Sequence, residues 1–470
     1  MPISPNLTQV KSELQNLLPL NKSFDYVSKD LMIEDSEAWL VAINGLYDDE
    51  LLQKVLTDLA GTAFQLQDAL QSKIGYVEAT RCSELQPLID GLLSGLCILL
   101  VDGCPEGILL DLRSYPARSI EEPDMERITR GARDGFVESL LTNVNLIRRR
   151  VRSEKLNFTM HHVGSESMTD IAVGYLSGSA DEALVEKLEK KLDSLDITSV
   201  TMGSRSIEEL LLKKRWWNPL PNFRITERPD VACSFLYEGH ILVIVDNSPL
   251  VLILPCTIFQ FTQSPDDYYK SPLTGSYFRL VRFLCIPVNL LLMPLFLLLT
   301  AFYPDLTASW DLLSTGSMAP ARIIFYVFAV EFGMDLFKYS TSLSSNRFSG
   351  SLSIVGGLLI GDMAVKLNWA SMEVLFYAAV TLLSGLSLSS PEFGDALRMY
   401  RLFLLTATAI WGTPGFVGGC ILVLVSMLTT PTFAGTSYFW PLFPFNKKAL
   451  GNLLFRKPTA KAQPTKVWKK

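Results

Sequence analysis

The feature that most restricts the fold is an uncharged apolar run past the middle of the chain. Phe283–Tyr303 contains 21 consecutive residues without a charged side chain. A helix needs about 20 such residues to cross the hydrocarbon core of a bilayer. Pro287 and Pro294 are expected to kink this helix. The run predicts that part of the chain lies in a membrane.

Further apolar stretches follow at Ile323–Tyr339, Leu352–Leu367, Met372–Leu388 and Leu402–Leu428. The last stretch is too long for one span, and the residues GTPG at 412–415 interrupt it. We therefore expect two short helices there, or a helix with a re-entrant hairpin. Residues 261–446 predict an α-helical polytopic membrane domain with an even number of spans, four to six.

Basic residues are placed unevenly around these stretches. Lys270, Arg279 and Arg282 precede the first span, whereas the loop Pro304–Pro320 contains acids as its only charged residues. Residues 447–470 contain eight Lys and Arg and no acid. Basic segments beside membrane helices stay on the cytoplasmic side. The pattern predicts both termini there, with 447–470 as a basic cytoplasmic tail and no signal peptide at the N-terminus.

The first half carries most of the charge and predicts a soluble region with three parts. Residues 1–69 predict a helical segment. Residues 70–152 predict a first α/β subdomain that ends in a long helix over 124–152, because Pro123 and Asp124 are typical of a helix start. Residues 153–260 predict a second α/β subdomain. Its expected strands are 168–175, 197–202, 231–236, 239–245 and 250–254, and its expected helices are 183–195 and 206–212.

Four long blocks of the sequence resemble one family. They are EEPDMERITRGARDGFVESLLTNVNLIRRRVR, TERPDVACSFLYEGHILVIVDNSPLVLILP, GSLSIVGGLLIGDMAV and YFWPLFPFNKKALGNLLFRKP. In this order they resemble the A subunits of the GerA-type spore germination proteins, and the last block is similar to one branch of that family. The matching motif residues are Glu122, Pro123, Gly131, Gly135, Phe136, Glu138, Asn143, Arg148, Arg149, Arg150, Glu227, Arg228, Pro229 and Asp230.

The resemblance implies a protein of the inner spore membrane that acts in germination. It further implies a homo-oligomer, built as a ligand-gated channel for monovalent cations, with membrane lipid and other germination membrane proteins as partners. The family's soluble region consists of two small α/β subdomains, which agrees with the pattern above. One position departs from the family: Asp362 stands where many A subunits have an amide, so ion selectivity is not carried over.

Charged residues inside an apolar stretch are candidates for an ion pathway. Glu331, Asp335 and Lys338 share one face of a helix at spacing i, i+4 and i+7. A charge in mid-bilayer costs at least ~2.5–3.5 kcal/mol and normally faces a protein interior or water. The alternatives are an internal Asp335–Lys338 ion pair that locks packing, or an interfacial helix. Glu331 is the leading candidate because Asp335 has a ready partner and Glu331 does not.

A glycine-rich stretch is the second pathway candidate. Gly356, Gly357 and Gly361 would let neighbouring helices approach closely. Val355, Leu359 and Asp362 share another face, where an apolar ring above an acidic ring would form a gate over a cation site. The alternative is a tightly packed helix in which Asp362 bonds to a neighbour.

Other function classes receive little support. The run Arg148–Arg150 ends a helix and complements its dipole, so we expect a structural or subunit-contact role and no nucleic acid. His161 and His162 would point to opposite faces of a strand, and no P-loop, GxSxG or HEXXH pattern occurs. We therefore expect neither an enzyme nor a metal or cofactor site. A germinant receptor A subunit, a secondary transporter and a non-conducting scaffold remain as rivals to a channel subunit.

Overall fold

The computed structural model describes residues 2–33, 36–60, 78–114, 126, 128, 130–212, 216–307, 318–343 and 371–455. These residues form two compact units. The described parts of Met1–Lys213 and Phe223–Cys256 make up the first unit, and those of Lys214–Asn222 and Thr257–Lys461 make up the second. The first unit is built on two sheets, and the second is helical.

The first sheet has five strands in the order β1-β2-β4-β5-β3. The strands are β1 Tyr26–Ile33, β2 Ser36–Ile43, β3 Ala79–Cys82, β4 Cys97–Val101 and β5 Gly107–Leu110, and the helices are α1 Leu7–Leu17, α2 Asp49–Ala60 and α3 Leu85–Leu93. Successive side chains of β2 face opposite sides, as strand geometry requires. Trp39 and Val41 pack with α1 and α3 on one face, whereas Ala38 and Leu40 pack with α2 on the other.

The second sheet has the order β6-β7-β9-β10-β8. Its strands are β6 Leu156–Val163, β7 Thr169–Leu176, β8 Arg224–Thr226, β9 Ile241–Val245 and β10 Val251–Leu254, and its helices are α4 Leu140–Arg150, α5 Glu182–Asp193, α6 Ser204–Leu211 and α7 Pro229–Tyr237. Val144 of α4 and Leu236 of α7 lie in one buried cluster with Phe158 of β6. Helices α4 and α7 therefore pack on one face of this sheet and form a buried core with it.

All the pairings between these ten strands are antiparallel. The two subdomains are therefore α+β, and the α/β class expected from the alternation of strands and helices is corrected. Consecutive strands such as β1 and β2, or β6 and β7, pair with each other as hairpins. A hairpin of this kind needs no crossover helix, so strand–helix alternation along a sequence does not by itself require parallel strands.

The helical interpretation of residues 1–69 is wrong in its middle part. α1 and α2 are helices, but Tyr26–Ile33 and Ser36–Ile43 pair as the antiparallel strands β1 and β2. Trp39, Val41 and Ile43 are buried on one face of the sheet at a period of two residues, which is typical of a strand. The helical spacing of the first eighteen residues does not continue into this segment.

The long helix expected over 124–152 is also shorter than the prediction, because α4 begins at Leu140. Ser139 caps the helix, since its side chain accepts a hydrogen bond from Thr142 N at 3.5 Å. Before the cap, Phe136 N donates to Glu227 O at 2.7 Å. The backbone of residues 130–139 thus makes non-helical contacts, including this one with a distant part of the chain.

Two strands expected in residues 153–260 are absent, and the other elements agree with the structure within two residues. Val231–Leu236 belongs to α7, where Pro229 lies in the first turn and Asp230 complements the helix dipole. Residues 197–202 are irregular, and the carbonyl of Ile197 accepts a hydrogen bond from Ser165 N at 2.9 Å. This segment therefore pairs with the turn between β6 and β7 rather than with a sheet edge.

The helical unit contains α8 Pro272–Phe302, α9 Pro320–Leu343, α10 Met372–Leu386, α11 Pro391–Trp411, α12 Thr413–Leu428 and α13 Lys447–Leu454, with single turns at Gln260–Thr262, Asp266–Tyr269 and Pro304–Thr307. Met293 and Leu297 of α8 pack against Val327 of α9, Ala378 of α10 and Leu405 of α11 in one buried cluster. Helix α8 therefore packs against three other helices in the core of the helical unit.

The predicted interruption at residues 412–415 is confirmed as a break between two helices. Gly412 has φ +62°, a conformation that glycine adopts without steric cost, and it separates α11 from α12. The two helices then pack closely. A Cβ at Gly415 would lie 2.0 Å from the Ala407 carbonyl oxygen. The glycines of α12 thus permit its contact with α11.

Among the described helices, α8 alone is both long enough and apolar enough to cross a membrane. It has 31 residues, and 39% of its most apolar stretch is buried in the structure. Helices α10 and α12 are apolar but have 15 and 16 residues, fewer than the ~20 that span a bilayer. In place of the four to six spans expected, the described part of the chain provides one clear candidate. The predicted span Leu352–Leu367 lies outside the described residues.

Candidate functional site

Charged residues of α9 and α11 form three ion pairs inside the helical unit. The pairs are Glu331 with Arg401, Asp335 with Arg398, and Lys338 with Asp395. Residue numbers rise along α9 while those of the partners fall along α11, so the two helices run in opposite directions. We refer to these six residues as the charge ladder.

The ladder runs from a partly exposed end to a buried end. The side chains of Lys338 and Asp395 are 41% and 56% exposed. Those of Glu331 and Arg401 are only 2% and 6% exposed, and Arg401 Nη2 lies 2.9 Å from Glu331 Oε2. A buried charge requires a partner because its desolvation is costly. The Glu331–Arg401 pair therefore lies where a lone charge would be most destabilising.

The expected internal pair between Asp335 and Lys338 is not the arrangement found. Asp335 pairs with Arg398, and Lys338 pairs with Asp395. The view that Glu331 has no partner is also wrong, since Arg401 binds it. The three α9 residues share one face and all meet α11, as their helical spacing predicts. Partners across the helix pair were not visible from the spacing within α9.

Helices α8 and α10 complete the buried end. Arg401 Nη1 donates to the backbone oxygen of Asn289 at 3.1 Å and to its Oδ1 at 3.0 Å. Asn289 Nδ2 in turn donates to the Thr381 carbonyl at 3.1 Å. Gly385 makes room for this amide, because a Cβ there would lie 2.7 Å from Asn289 Nδ2. Four helices thus meet at one guanidinium group.

A cavity of about 150 Å³ lies beside the ladder. Its lining includes charged groups of both signs and the amide of Asn289, together with small and apolar residues of α10. The charged lining residues are Asp335, Lys338, Asp395, Arg398 and Arg401. A water molecule occupies ~30 Å³ in the liquid, so the cavity has room for several. The site is a hydratable space whose largely apolar wall carries both acids and bases.

A second buried ion cluster anchors the start of α8. Asp267 is completely buried and pairs with both Arg279 and Arg282. Arg282 Nε donates to the Thr262 carbonyl at 2.8 Å, and Arg279 Nη1 donates to the Leu453 carbonyl of α13 at 3.2 Å. Arg279, which the sequence assigns to membrane orientation, thus also holds α13 against α8.

The family-motif residues of the first unit make structural contacts. Arg228 is fully buried and donates to the carbonyls of Glu126 and Ala132 at 3.3 and 2.9 Å, while pairing with Asp230. Glu126 also pairs with Arg224 at 2.9 Å. Two motifs that are about a hundred residues apart in the chain therefore bind each other. Glu122 and Pro123 lie outside the described residues.

Other motif residues shape the entry to α4. Gly131 has φ +146°, while Gly135 and Phe136 are buried. The Glu138 carbonyl accepts a hydrogen bond from Asn247 N at 2.9 Å, and the Asn143 side chain bonds to both backbone groups of Val137. These residues fix the non-helical segment before α4. Pro229 lies in the first turn of α7, where proline favours the start of a helix.

The three arginines at the end of α4 differ in their surroundings. Arg148 is fully buried and pairs with Asp25, whereas Arg150 pairs with Asp134 near the surface. Arg149 is exposed. The Arg148 guanidinium lies over the rings of Tyr26 and Phe158, and burial raises the pKa of Tyr26 to about 12. A guanidinium without solvent access is a structural group, in agreement with the expected structural role.

The second group of pathway candidates belongs to the glycine-rich stretch Leu352–Leu367. Val355, Leu359 and Asp362, together with Gly356, Gly357 and Gly361, lie outside the described residues. Glu331 and Asp335 are therefore the only pathway candidates that fall within the described chain.

Sequence reasoning missed the partners on α11 and the amide on α8. The predicted span began at Leu402, directly after Arg401, so the charges of residues 391–401 were left outside it. A signal was present, because Asp395, Arg398 and Arg401 are spaced i, i+3 and i+6, and their charges, taken from last to first, are opposite to those of the three α9 residues. Asn289 carried no such signal, since one amide in an apolar helix has many structural explanations.

Known proteins resemble this chain over almost its whole length. The family described as Bacillus/Clostridium GerA spore germination protein matches residues 12–466. Stage V sporulation protein AF of Bacillus subtilis (strain 168) is 33% identical over 462 residues, which covers 96% of this chain and 93% of that protein. Spore germination protein A1 of the same organism is 28% identical over 403 residues, covering 85% and 83%.

Two further similarities were found. A Bacillus subtilis (strain 168) protein named uncharacterized membrane protein YfkQ is 27% identical over 467 residues, covering 97% of this chain and 90% of that protein. The crystal structure of the N-terminal domain of the A subunit of the Bacillus megaterium spore germinant receptor GerK3 aligns with a TM-score of 0.42 and 23% identity, over 54% of this chain and 96% of that one. On the extent of the family match and the 33% identity, the chain belongs to the GerA family of spore germination proteins.

Proposed function

We propose that this chain is an integral membrane subunit of the spore germination apparatus, and that its helical unit carries monovalent cations across the inner spore membrane. The observation that carries this proposal is the charge ladder. Three acids and three bases pair between two helices, and five of these six residues border a hydratable cavity. In apolar surroundings such residues are retained where they bind each other or border a path for ions.

The surface of the helical unit supports a membrane location. Large apolar side chains are exposed along its helices, including Leu284, Phe325, Phe332, Phe376, Leu383, Ile410, Ile421 and Leu422. Many large apolar side chains exposed on one helical unit are unfavourable in water and support contact with lipid or protein. Less than half of the most apolar stretch of α8 is buried, whereas a core helix of a soluble protein would be mostly buried.

The proposed arrangement has several spans and places both termini on the cytoplasmic side. Charge placement supports it, since the loop Pro304–Pro320 is acidic and residues 447–470 are basic. A cysteine introduced at Ser314 is expected to react with an impermeant reagent added outside. A cysteine at Lys461 is expected to stay protected until the membrane is opened. Labelling of the tail in sealed membranes would contradict an even number of spans.

The ladder would act on ions through its balance of charge. The acids attract cations, and the paired bases cancel that attraction while the pairs are closed. Separation of α9 from α11 would expose the carboxylates of Asp335 and Asp395 to a hydrated path. We expect the working form to be a homo-oligomer that associates with lipid and with other germination membrane proteins.

Ion flux from liposomes tests this function. The purified full-length chain is reconstituted into potassium-loaded liposomes, and efflux is compared with that of protein-free liposomes and with total release by detergent. Lys338→Met frees the partly exposed Asp395 and is expected to increase potassium efflux over the wild type. Lys190→Met, which breaks an exposed pair with Glu186 in the first unit, is the matched control and is expected to leave efflux unchanged.

The outcomes separate the rival functions. Efflux that requires a solute on the opposite side indicates a secondary transporter, and efflux that appears only with a germinant indicates a receptor A subunit. No efflux from either the wild type or Lys338→Met, at confirmed incorporation of protein, would leave a non-conducting scaffold and overturn the channel proposal.

A further inference from the structure

We propose that Glu331 and Asn289 form a binding site for one dehydrated monovalent cation, and that Arg401 occupies this site as an internal cation in the closed protein. The inference rests on the proposed cation function and deepens it by naming the ion site. In this view, the guanidinium of Arg401 and the transported ion compete for the same oxygen atoms.

The atoms around Arg401 are those that an alkali cation uses. Its Nη2 lies 2.9 Å from a carboxylate oxygen of Glu331, and its Nη1 lies 3.0 Å from the amide oxygen and 3.1 Å from the backbone oxygen of Asn289. Carbonyl and carboxylate oxygens replace the water shell of an ion in selective pores. Three such oxygens already converge on one positive charge.

A fourth oxygen at this place lacks a hydrogen-bond partner. Glu331 Oε1 is buried, in a side chain that is only 2% exposed, and it accepts no hydrogen bond within the described structure. A buried acceptor without a partner costs ~1–3 kcal/mol, more for a charged group. Arg401 therefore satisfies only part of the carboxylate. An ion bound between both oxygens of Glu331 and the oxygens of Asn289 would satisfy all of it.

The oxygens of Asn289 are held in position before any ion arrives. The Asn289 amide nitrogen is fixed on the Thr381 carbonyl at 3.1 Å, which turns Oδ1 toward Arg401. The cavity of about 150 Å³ borders both Asn289 and Arg401. A hydrated ion therefore has space to wait beside the site and to lose its water as Arg401 leaves.

The charge of the site sets the valence of the ion. When Arg401 withdraws, one carboxylate remains at the buried end, since Asp335 keeps Arg398 as its partner. A monovalent cation restores neutrality. A divalent cation would leave a net positive charge in a buried place, which is strongly unfavourable.

Direct ion binding tests the inference. The full-length chain in detergent is titrated with radioactive rubidium, a substitute for potassium, in the wild type and in Arg401→Gln. The variant removes the internal cation and is expected to gain saturable binding of one ion per chain, at least tenfold tighter than any binding to the wild type. Arg401→Lys keeps the charge and should not gain it.

Two matched variants locate the site. The double variant Glu331→Gln with Arg401→Gln lacks the carboxylate and should lose the gained binding. Arg398→Gln removes the neighbouring base but leaves Asp335, which is 30% exposed and remains hydrated, so no tight binding is expected there. Equal rubidium binding by Arg401→Gln and by the double variant would overturn the inference, as would its absence from a folded Arg401→Gln.

The test remains decisive when Arg401→Gln folds poorly. Its folded yield should then be restored by potassium or rubidium and not by N-methylglucamine at the same ionic strength, because only a small cation fits the oxygens. No selective rescue would contradict the site. The readout is binding rather than flux. Binding without flux through the wild type would therefore leave the site intact and remove the channel proposal, and flux without binding would do the reverse.

Discussion

Arg148 and Asp25 form an ion pair in which both side chains are fully buried, and it ties α4 to the segment that enters β1. Arg148 Nη2 lies 2.8 Å from Asp25 Oδ2, and Ser23 Oγ donates to Asp25 Oδ1 at 2.6 Å. Arg148 Nη1 also donates to the Leu156 carbonyl at the start of β6, at 3.1 Å. One side chain thus connects the parts of the first unit that belong to different sheets.

The first unit is expected to fold as a separate fragment only if both of its ends are kept. Residues 1–256 should express without detergent and give a mixed helix and strand spectrum. A fragment of residues 25–250 removes α1 and the strand β10, which lies between β9 and β8. Burial of Leu7, Val10 and Leu14 is worth ~1.5–3 kcal/mol for each side chain. Equal urea midpoints for the two fragments would contradict this assignment of the ends.

Removing one partner of the buried pair should be far more costly than removing a surface pair. Asp25→Ala leaves the Arg148 charge buried and is expected to destabilise the 1–256 fragment by ~3–5 kcal/mol. Asp134→Ala is the matched control, because its pair with Arg150 is about 30% exposed, and such pairs contribute ~0–1 kcal/mol. Urea unfolding of both variants measures the difference. Comparable losses would show that burial does not decide the energy of these pairs.

His240 should make the first unit sensitive to acid. The ring is completely buried, with Nδ1 3.2 Å from the Phe235 carbonyl, and burial lowers the pKa of His240 to about 4. The unfolded chain has a histidine pKa of about 6.5, so it binds the proton first as the pH falls. The stability from neutral His240 is complete above pH ~6.5 and is lost progressively between pH ~6.5 and ~4.

The measurement is urea unfolding of the 1–256 fragment between pH 7.5 and 5. Over this interval the fragment should lose ~2 kcal/mol through His240. His240→Leu should reduce this pH dependence, whatever it does to the stability at pH 7.5. His162→Gln, at a half-exposed histidine paired with Asp170, is the control. An unchanged pH slope in His240→Leu would contradict burial as the cause.

Elements with a clear period were predictable, and those without one were not. The helix α5 has apolar residues on one face and a capping Asp181, and it was found within two residues. Val231–Leu236 is an apolar run with neither a helical nor a strand period, so its sequence fits both structures. Pro229, which favours the start of a helix, was the signal for the helix that the structure contains. Strand direction in both sheets depended on long-range pairing that local patterns do not contain.

One half of the candidate site, the charged face of α9, was predictable from the sequence, and its partners on α11 were not. Helical spacing placed Glu331 and Asp335 on one face, and in the structure both pair with arginines of α11. Their partners lie some sixty to seventy residues later in the chain, and one sequence does not state which helices meet. An ion pair is set by tertiary packing, so the face could be found from the sequence and the partner could not.

Two glycines of α12 should respond differently to the same change. A Cβ at Gly415 would lie 2.0 Å from the Ala407 carbonyl oxygen, whereas a Cβ at Gly418 meets nothing within 4 Å. Gly415→Ala is therefore expected to separate α11 from α12 and to cost ~1–3 kcal/mol or more. Gly418→Ala should be neutral or slightly stabilising, because alanine favours helices. Thermal midpoints of the two detergent-solubilised variants provide the comparison, and equal midpoints would contradict the close packing of α11 and α12.

The glycine-rich stretch, which lies outside the described residues, gives the sharpest prediction about conduction. If Val355 and Leu359 form an apolar gate, then Val355→Ala or Leu359→Ala should make the gate easier to wet and increase the resting cation leak. Asp362→Asn should instead reduce cation flux or selectivity while assembly is kept, since the amide nearly preserves the shape of the side chain.

A packing role predicts a different result for the same variants. Val355→Ala would then cost ~0.5–2 kcal/mol and lower the amount of protein, with no leak. The measurement that separates the two roles is monovalent cation leak per assembled complex, determined for all three variants beside the wild type. Unchanged leak at normal abundance in all of them would remove this stretch from the ion path. Glu331, at the buried end of the charge ladder, would then be the next residue to test.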